Sequence, residues 1–194
     1  MVEERIMSTV EAENSDLRWF ALHVKPRYEK VASTMLRNKG YEEFLPLYRA
    51  SRRWSDRMAE VDLPLFPGYI FCRFDPSDRR IPIVSTPGVL NIVGIGRTPV
   101  PLDEGEIGAI QAVIRSGCPA EPWPFLNIGD KVRIAYGSLS GVEGILVERK
   151  KQHRLVISVT LLQRSVSVEI DRNWIMPIHS IPVSRPEGIV LEIN

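Results

Sequence analysis

A break past the middle constrains this chain most. The run Ser116-Gly117-Cys118-Pro119-Ala120-Glu121-Pro122-Trp123-Pro124 holds three prolines and a glycine. Proline removes a backbone donor and fixes φ, so neither a helix nor a strand ladder is expected there, and the segment reads as an extended linker. Helical periods precede it and almost none follow it. The expected plan is an acidic flexible tail at 1–17, a first domain at 18–116, the linker at 117–124, a second domain at 125–178 and a C-terminal tail at 179–194. A chain of 194 residues suffices for two small cores.

In the first domain, Trp19–Val24 reads as a strand, with Phe20, Leu22 and Val24 on one face and Trp19, Ala21 and His23 on the other. Tyr28, Val31, Ala32, Met35 and Leu36 follow the i, i+3, i+4 spacing of an amphipathic helix, begun near Pro26 and stopped by Gly40. A strand at Glu42–Tyr48 precedes a long basic hairpin at Arg49–Glu60. Val61–Leu65 and Tyr69–Phe74 return to strand pattern across Pro67-Gly68. Ser77 is expected to cap a short helix ending by Ile81, before Pro82, and Val89–Val93 reads as a strand. Asp103 with Glu106 forms a capping-box pattern, ahead of a stripe of Ile107, Ile110, Val113 and Ile114. The order β-α-β-β-α-β-α predicts an α+β, ferredoxin-like antiparallel sheet with its helices on one face, leaving the other face to a partner.

The second domain reads as all β. Lys131–Ala135, Gly144–Glu148, Arg154–Val159 and Ser165–Ile170 are short strands at roughly ten-residue spacing, the pattern of a small SH3-like barrel. The run Val156-Ile157-Ser158-Val159-Thr160 favours strand over helix.

Composition narrows the function classes. With 44% hydrophobic and 25% charged residues the chain is globular. A net charge of +1 excludes general polyanion binding, but residues 25–57 carry nine basic residues against four acidic ones. No apolar run approaches the ~18 residues of a membrane-spanning helix. No secretory leader pattern stands at the N-terminus, and Cys72 and Cys118 have no metal spacing. The expectation is a cytoplasmic monomer without metal or cofactor. His23, His153 and His179 are scattered away from any serine or carboxylate constellation, and Gly94-Ile95-Gly96 lacks the context of a phosphate cradle, so no enzyme is expected.

Three stretches carry a resemblance. Trp19-Phe20-Ala21-Leu22-His23-Val24-Lys25, Leu65-Phe66-Pro67-Gly68-Tyr69-Ile70-Phe71, and Val132-Arg133-Ile134 through Gly141, Gly144 and Val147 together resemble the NusG-type transcription elongation factors, which join an N-terminal NGN domain to a C-terminal KOW barrel. Pro64–Tyr69, Phe74-Asp75-Pro76, Thr86–Val89, Gly144–Val147 and Leu161–Val166 are most similar to the specialised RfaH- and UpxY-type paralogues.

The resemblance implies the partners. The first domain would bind RNA polymerase, gripping the clamp helices of its largest catalytic subunit with Trp19, His23, Phe66, Pro67, Tyr69 and Phe71. Aromatic anchors beside a Pro-Gly turn suit such a contact. Lys25, Arg27, Lys30, Arg49, Arg52 and Arg53, with Trp54 among them, would meet the non-template DNA strand through phosphate contact and base stacking. Asp78-Arg79-Arg80-Ile81-Pro82 occupies the place of a second polymerase contact in such paralogues, without their run of threonines. The KOW barrel would recruit termination factor Rho or a small-subunit ribosomal protein through Leu161, Leu162 and Arg164. The implied function is processive elongation or antitermination at a restricted set of operons. A housekeeping NusG-like factor and a KOW-containing RNA- or ribosome-binding protein are the alternatives.

Overall fold

The computed structural model describes residues 17–178, apart from 55–56, 78–79, 124, 126–128 and 150–151. The expected tails apart from Leu17, with His179, Asp78, Arg79 and the side chains of Arg52, Arg53 and Trp54, lie outside the described residues.

Four antiparallel strands make the first sheet: β1 (Arg18–Val24), β2 (Glu42–Phe44), β5 (Tyr69–Phe74) and β6 (Val89–Ile92), in the order β2-β5-β1-β6. Between β2 and β5, β3 (Leu47–Trp54) and β4 (Arg57–Pro64) pair as a two-stranded ribbon, which takes in the expected hairpin at Arg49–Glu60 but also Leu47 and Tyr48 of the expected strand Glu42–Tyr48, broken after Phe44, and most of Val61–Leu65. Helix α1 (Glu29–Asn38) follows β1, and α2 (Arg80–Val84) follows β5. A small pair, β7 (Gly94–Ile95) and β8 (Thr98–Pro99), leads into α3 (Glu104–Ser116).

The α+β class stands, but one helix sits elsewhere than expected. Phe20, Leu22, Val24, Ile70, Cys72 and Phe74 pack with Ala32 and Leu36 of α1 and Ile83 of α2. On the opposite face, Trp19, Ala21 and Phe71 pack with Ile107, Ile110 and Val113 of α3. The helices therefore lie on both faces, not one. The cause is legible in β1: Trp19, Phe20, Ala21 and Leu22 are all buried, so the strand has no polar side and needs cover on both.

Helix α2 also differs from its expected span of Ser77–Ile81. It contains Pro82 as its third residue, where a first-turn amide would have no intrahelical partner anyway. The Ser77 amide instead donates to Asp75 Oδ1 at 2.8 Å, closing a local turn. In α1 the expected apolar stripe is only partly buried. Ala32 and Leu36 are in the core, whereas Tyr28 precedes the helix and is as exposed as Val31.

The C-terminal unit is built from β9 (Ala120–Trp123), β10 (Asp130–Ile134), β11 (Glu143–Arg149), β12 (Gln152–Val159), β13 (Arg164–Ile170) and β14 (Ile175–Pro177). They form a six-stranded antiparallel sheet in the order β14-β10-β11-β12-β13-β9. Val156 to Val159 are in strand, as the β-branched run predicts. Strand β9 is a correction: the expected linker enters the ladder, pairing Ala120 with Val168 and Trp123 with Ser165. Proline is accepted there because β9 is an edge strand, where a missing donor faces no partner. Arg154 fastens it, donating to Glu121 at 2.7 Å and to Ser167 at 3.0 Å.

Candidate functional site

The site begins with a turn. Phe66-Pro67-Gly68-Tyr69 closes with the Tyr69 amide donating to the Phe66 carbonyl at 3.0 Å. Proline second and a glycine at φ +84° third are the marks of a type II turn. The turn feeds β5, whose register on β1 sets Tyr69 opposite His23 and Phe71 opposite Ala21. Side chains on one face of the two strands thus converge.

The six residues expected to grip polymerase do come together, at different depths. Phe66 meets Phe71 edge-on at 5.3 Å, Phe71 meets Phe44 at 6.0 Å, and Phe44 meets Trp19 at 6.5 Å. This chain of rings lies in the core: Trp19 is 4% exposed, Phe66 1% and Phe71 fully buried. The sheet face expected to be free is therefore occupied. Pro67 is exposed, and Tyr69 and His23 are half-buried. Their rings stack at 5.4 Å, and His23 Nδ1 lies 3.2 Å from Asn91 Oδ1.

The C-terminal unit contributes to that occupation. The Arg164 guanidinium lies 6.0 Å from the centre of the Tyr69 ring. The Thr160 amide donates to both carboxylate oxygens of Glu106 at 3.2 Å, and the Thr160 hydroxyl donates to Oε1 at 2.6 Å. Leu162 is buried, and Leu161 packs half-buried against the core cluster that also holds Phe66 and Ile107. So the segment expected to recruit a partner, Leu161, Leu162 and Arg164, rests on the N-terminal unit. A cleft of about 800 Å³ beside this contact is lined by Asp103, Glu106, Lys131, Glu143, Ser158 and Thr160, among others.

Sequence reasoning finds half of the Glu106 geometry. Asp103 caps α3, its Oδ1 accepting from the Glu106 amide at 3.0 Å, as the capping box requires. The Glu106 carboxylate goes to Thr160 instead of back to the cap, a partner 54 positions away that no local pattern reveals.

The basic group divides. Lys25, Arg27 and Lys30 are exposed around the β1–α1 turn, and none is paired with a carboxylate among the described residues. Arg27 is in the left-handed region at φ +70°. Arg49 reaches Glu60 at 4.0 Å with both side chains exposed, a contact worth little. Cys72 is buried, and desolvation, then Glu43 and Glu42, push its thiol up to about 12. Among the described residues, no three His, Cys, Asp or Glu side chains cluster as metal ligands, and no helix is long and apolar enough to cross a membrane.

These observations define a class: an α+β domain with an aromatic Pro-Gly turn, continued through an edge strand into an all-β domain that folds back on it. Residues 17–111 match the family described as Transcription termination factor nusG. The chain is 27% identical over 176 residues to the transcription termination/antitermination protein NusG of Thermus thermophilus, covering 80% of this chain and 95% of that one. It is 29% identical over 179 residues to the protein of the same name from Lactococcus lactis, covering 85% and 95%. Over that N-terminal stretch, just under half of its residues, the chain is similar to the NusG family. In fold it matches the structure titled "Domain interaction in Thermotoga maritima NusG", with a TM-score of 0.53 and 19% identity, over 84% of this chain and 98% of that one.

Proposed function

We propose that this protein is a transcription elongation factor that binds RNA polymerase through its N-terminal unit and promotes processive elongation or antitermination. The observation that carries the reading is the Phe66–Tyr69 turn, a rigid Pro-Gly corner backed by buried aromatic rings. Pro67, Tyr69 and His23 make the contact with the clamp helices of the largest catalytic subunit, and Trp19, Phe66 and Phe71 buttress them. Lys25, Arg27 and Lys30, with Arg52, Arg53 and Trp54 on the ribbon, hold the non-template strand. Leu161, Leu162 and Arg164 recruit Rho or a small-subunit ribosomal protein. Because Arg164 stands over Tyr69, polymerase binding requires the C-terminal unit to move aside.

The test is binding of the full chain to purified core polymerase at micromolar concentration, with a crosslinker at position 67. Binding that crosslinks to the clamp helices, and weakens by about tenfold or more in Tyr69→Ala, supports the reading. No binding, or crosslinks elsewhere, overturns it. The residues similar to RfaH- and UpxY-type paralogues favour action at a restricted set of operons. The names of the relatives favour a housekeeping factor. Occupancy across the genome separates the two: one or a few operons, or every transcribed gene.

A further inference from the structure

Glu29 opens α1 and is 6% exposed. Its Oε1 accepts from the Gly68 amide at 2.9 Å. A type II turn leaves the amide of its third residue pointing away from the closing hydrogen bond, so that donor ordinarily goes to water. Here a buried carboxylate takes it, while the Gly68 carbonyl accepts from the Val24 amide at 2.8 Å. Both ends of Gly68 are held by the strand and helix that flank the β1–α1 turn. That turn carries Arg27 at φ +70°, a conformation costly for a non-glycine residue.

We propose that Glu29 is the positioning residue of the polymerase-facing turn, fixing the Pro67–Gly68 peptide so that Pro67 and Tyr69 are presented ready-made. This rests on the binding role assigned above. A flip of the central peptide, which interconverts type I and type II turns, swings the Pro67 carbonyl toward Glu29. Two oxygens with no proton between them then face each other, so the carboxylate selects one turn state. A buried charge is costly unless hydrogen-bonded, and an apolar residue at position 29 would fill the same space without that cost. The carboxylate therefore serves the turn's orientation rather than the core's volume. The same bond joins the basic β1–α1 turn to the aromatic corner.

The test uses the full chain with Glu29→Ala and Glu29→Gln. Hydrogen exchange of the Gly68 amide is read against the Ile70 amide, and affinity for core polymerase is measured alongside. Glu29→Ala should speed Gly68 exchange, relative to Ile70, by about tenfold and weaken polymerase binding by about as much. Glu29→Gln keeps an acceptor oxygen but adds an amide donor that can face the flipped Pro67 carbonyl, so in both readouts it should fall between the alanine variant and the unaltered chain. Should Glu29→Ala not fold, Glu29→Asp, shorter by one methylene, gives the same two readouts. Unchanged Gly68 exchange or unchanged affinity in folded Glu29→Ala, or in Glu29→Asp where the alanine variant does not fold, overturns the proposal. Failure of the unaltered chain to bind polymerase overturns instead the function assigned above, and Gly68 exchange then still decides whether Glu29 holds the turn.

Discussion

Replacing Glu106 by alanine removes the acceptor that the Thr160 amide and hydroxyl share. Hydrogen bonds to a charged group contribute about 1.5–3 kcal/mol when sheltered. This contact is open to water and the carboxylate is only half-buried, so about 1 kcal/mol is the appropriate scale. That loss raises the opening constant between the two units about fivefold. A thiol introduced at buried Leu162 reports it, since closure shields that position from a reagent. Modification rates of Leu162→Cys are compared with and without Glu106→Ala, the background of Cys72 and Cys118 being subtracted. Glu104→Ala is the control: it lies in the same first turn of α3 and has no partner in the C-terminal unit among the described residues. The expected result is an about fivefold faster reaction for Glu106→Ala and no change for Glu104→Ala. Equal rates in the two variants would refute the reasoning, because the Thr160 bonds would then add nothing to closure.

Arg164→Ala removes the cation over Tyr69 and should tighten polymerase binding by about two- to fivefold in a titration, since about 0.5–1 kcal/mol of closure is lost and no polymerase contact with it. Weaker binding would contradict that placement. The Cys72 thiol, raised from 9.0 to about 12, keeps its proton in the folded chain while the unfolded chain loses it, so its contribution falls as pH rises from about 9 to 12. Denaturant titrations should show that alkaline slope shrink in Cys72→Ala. Gly88 stands at φ +91°, with an added Cβ 2.9 Å from the Tyr28 ring, so Gly88→Ala should cost about 1–2 kcal/mol, seen as a melting shift of about 3–6 °C. An unchanged melting temperature would show that the loop relaxes freely.

Local rules made much of this fold readable. The left-handed Gly117 and the Asp103 cap bound α3 as their residue types require. The alternation of Val166, Val168 and Ile170 marks β13, and the β-branched run marks β12. What escaped was decided by surroundings. Pro122 reads as a ladder breaker until its strand is known to lie at an edge. Trp19 and Phe71 read as a surface patch until α3 is known to cross to their face. Glu29 carries no local signal of its role, and only the folded chain brings Gly68 against it, 39 positions on. In each case the local choice is compatible with two outcomes, and long-range packing selects one.

The contact between the units has a thermodynamic consequence on the proposed function. Tyr69 and the segment from Thr160 to Arg164 cover one another, so a single opening uncovers the polymerase face and the recruiting face together. A partner that binds either face binds only the open form and holds it open. The second partner then need not work against closure, and its affinity rises by the factor that closure had withheld. Linkage makes this reciprocal: polymerase must favour the C-terminal partner by the same factor by which that partner favours polymerase. Weakening closure, as in Glu106→Ala, should raise each affinity measured alone and shrink the coupling between them. Loss of a true contact residue lowers one affinity without abolishing coupling, so the two kinds of variant are distinguishable by sign.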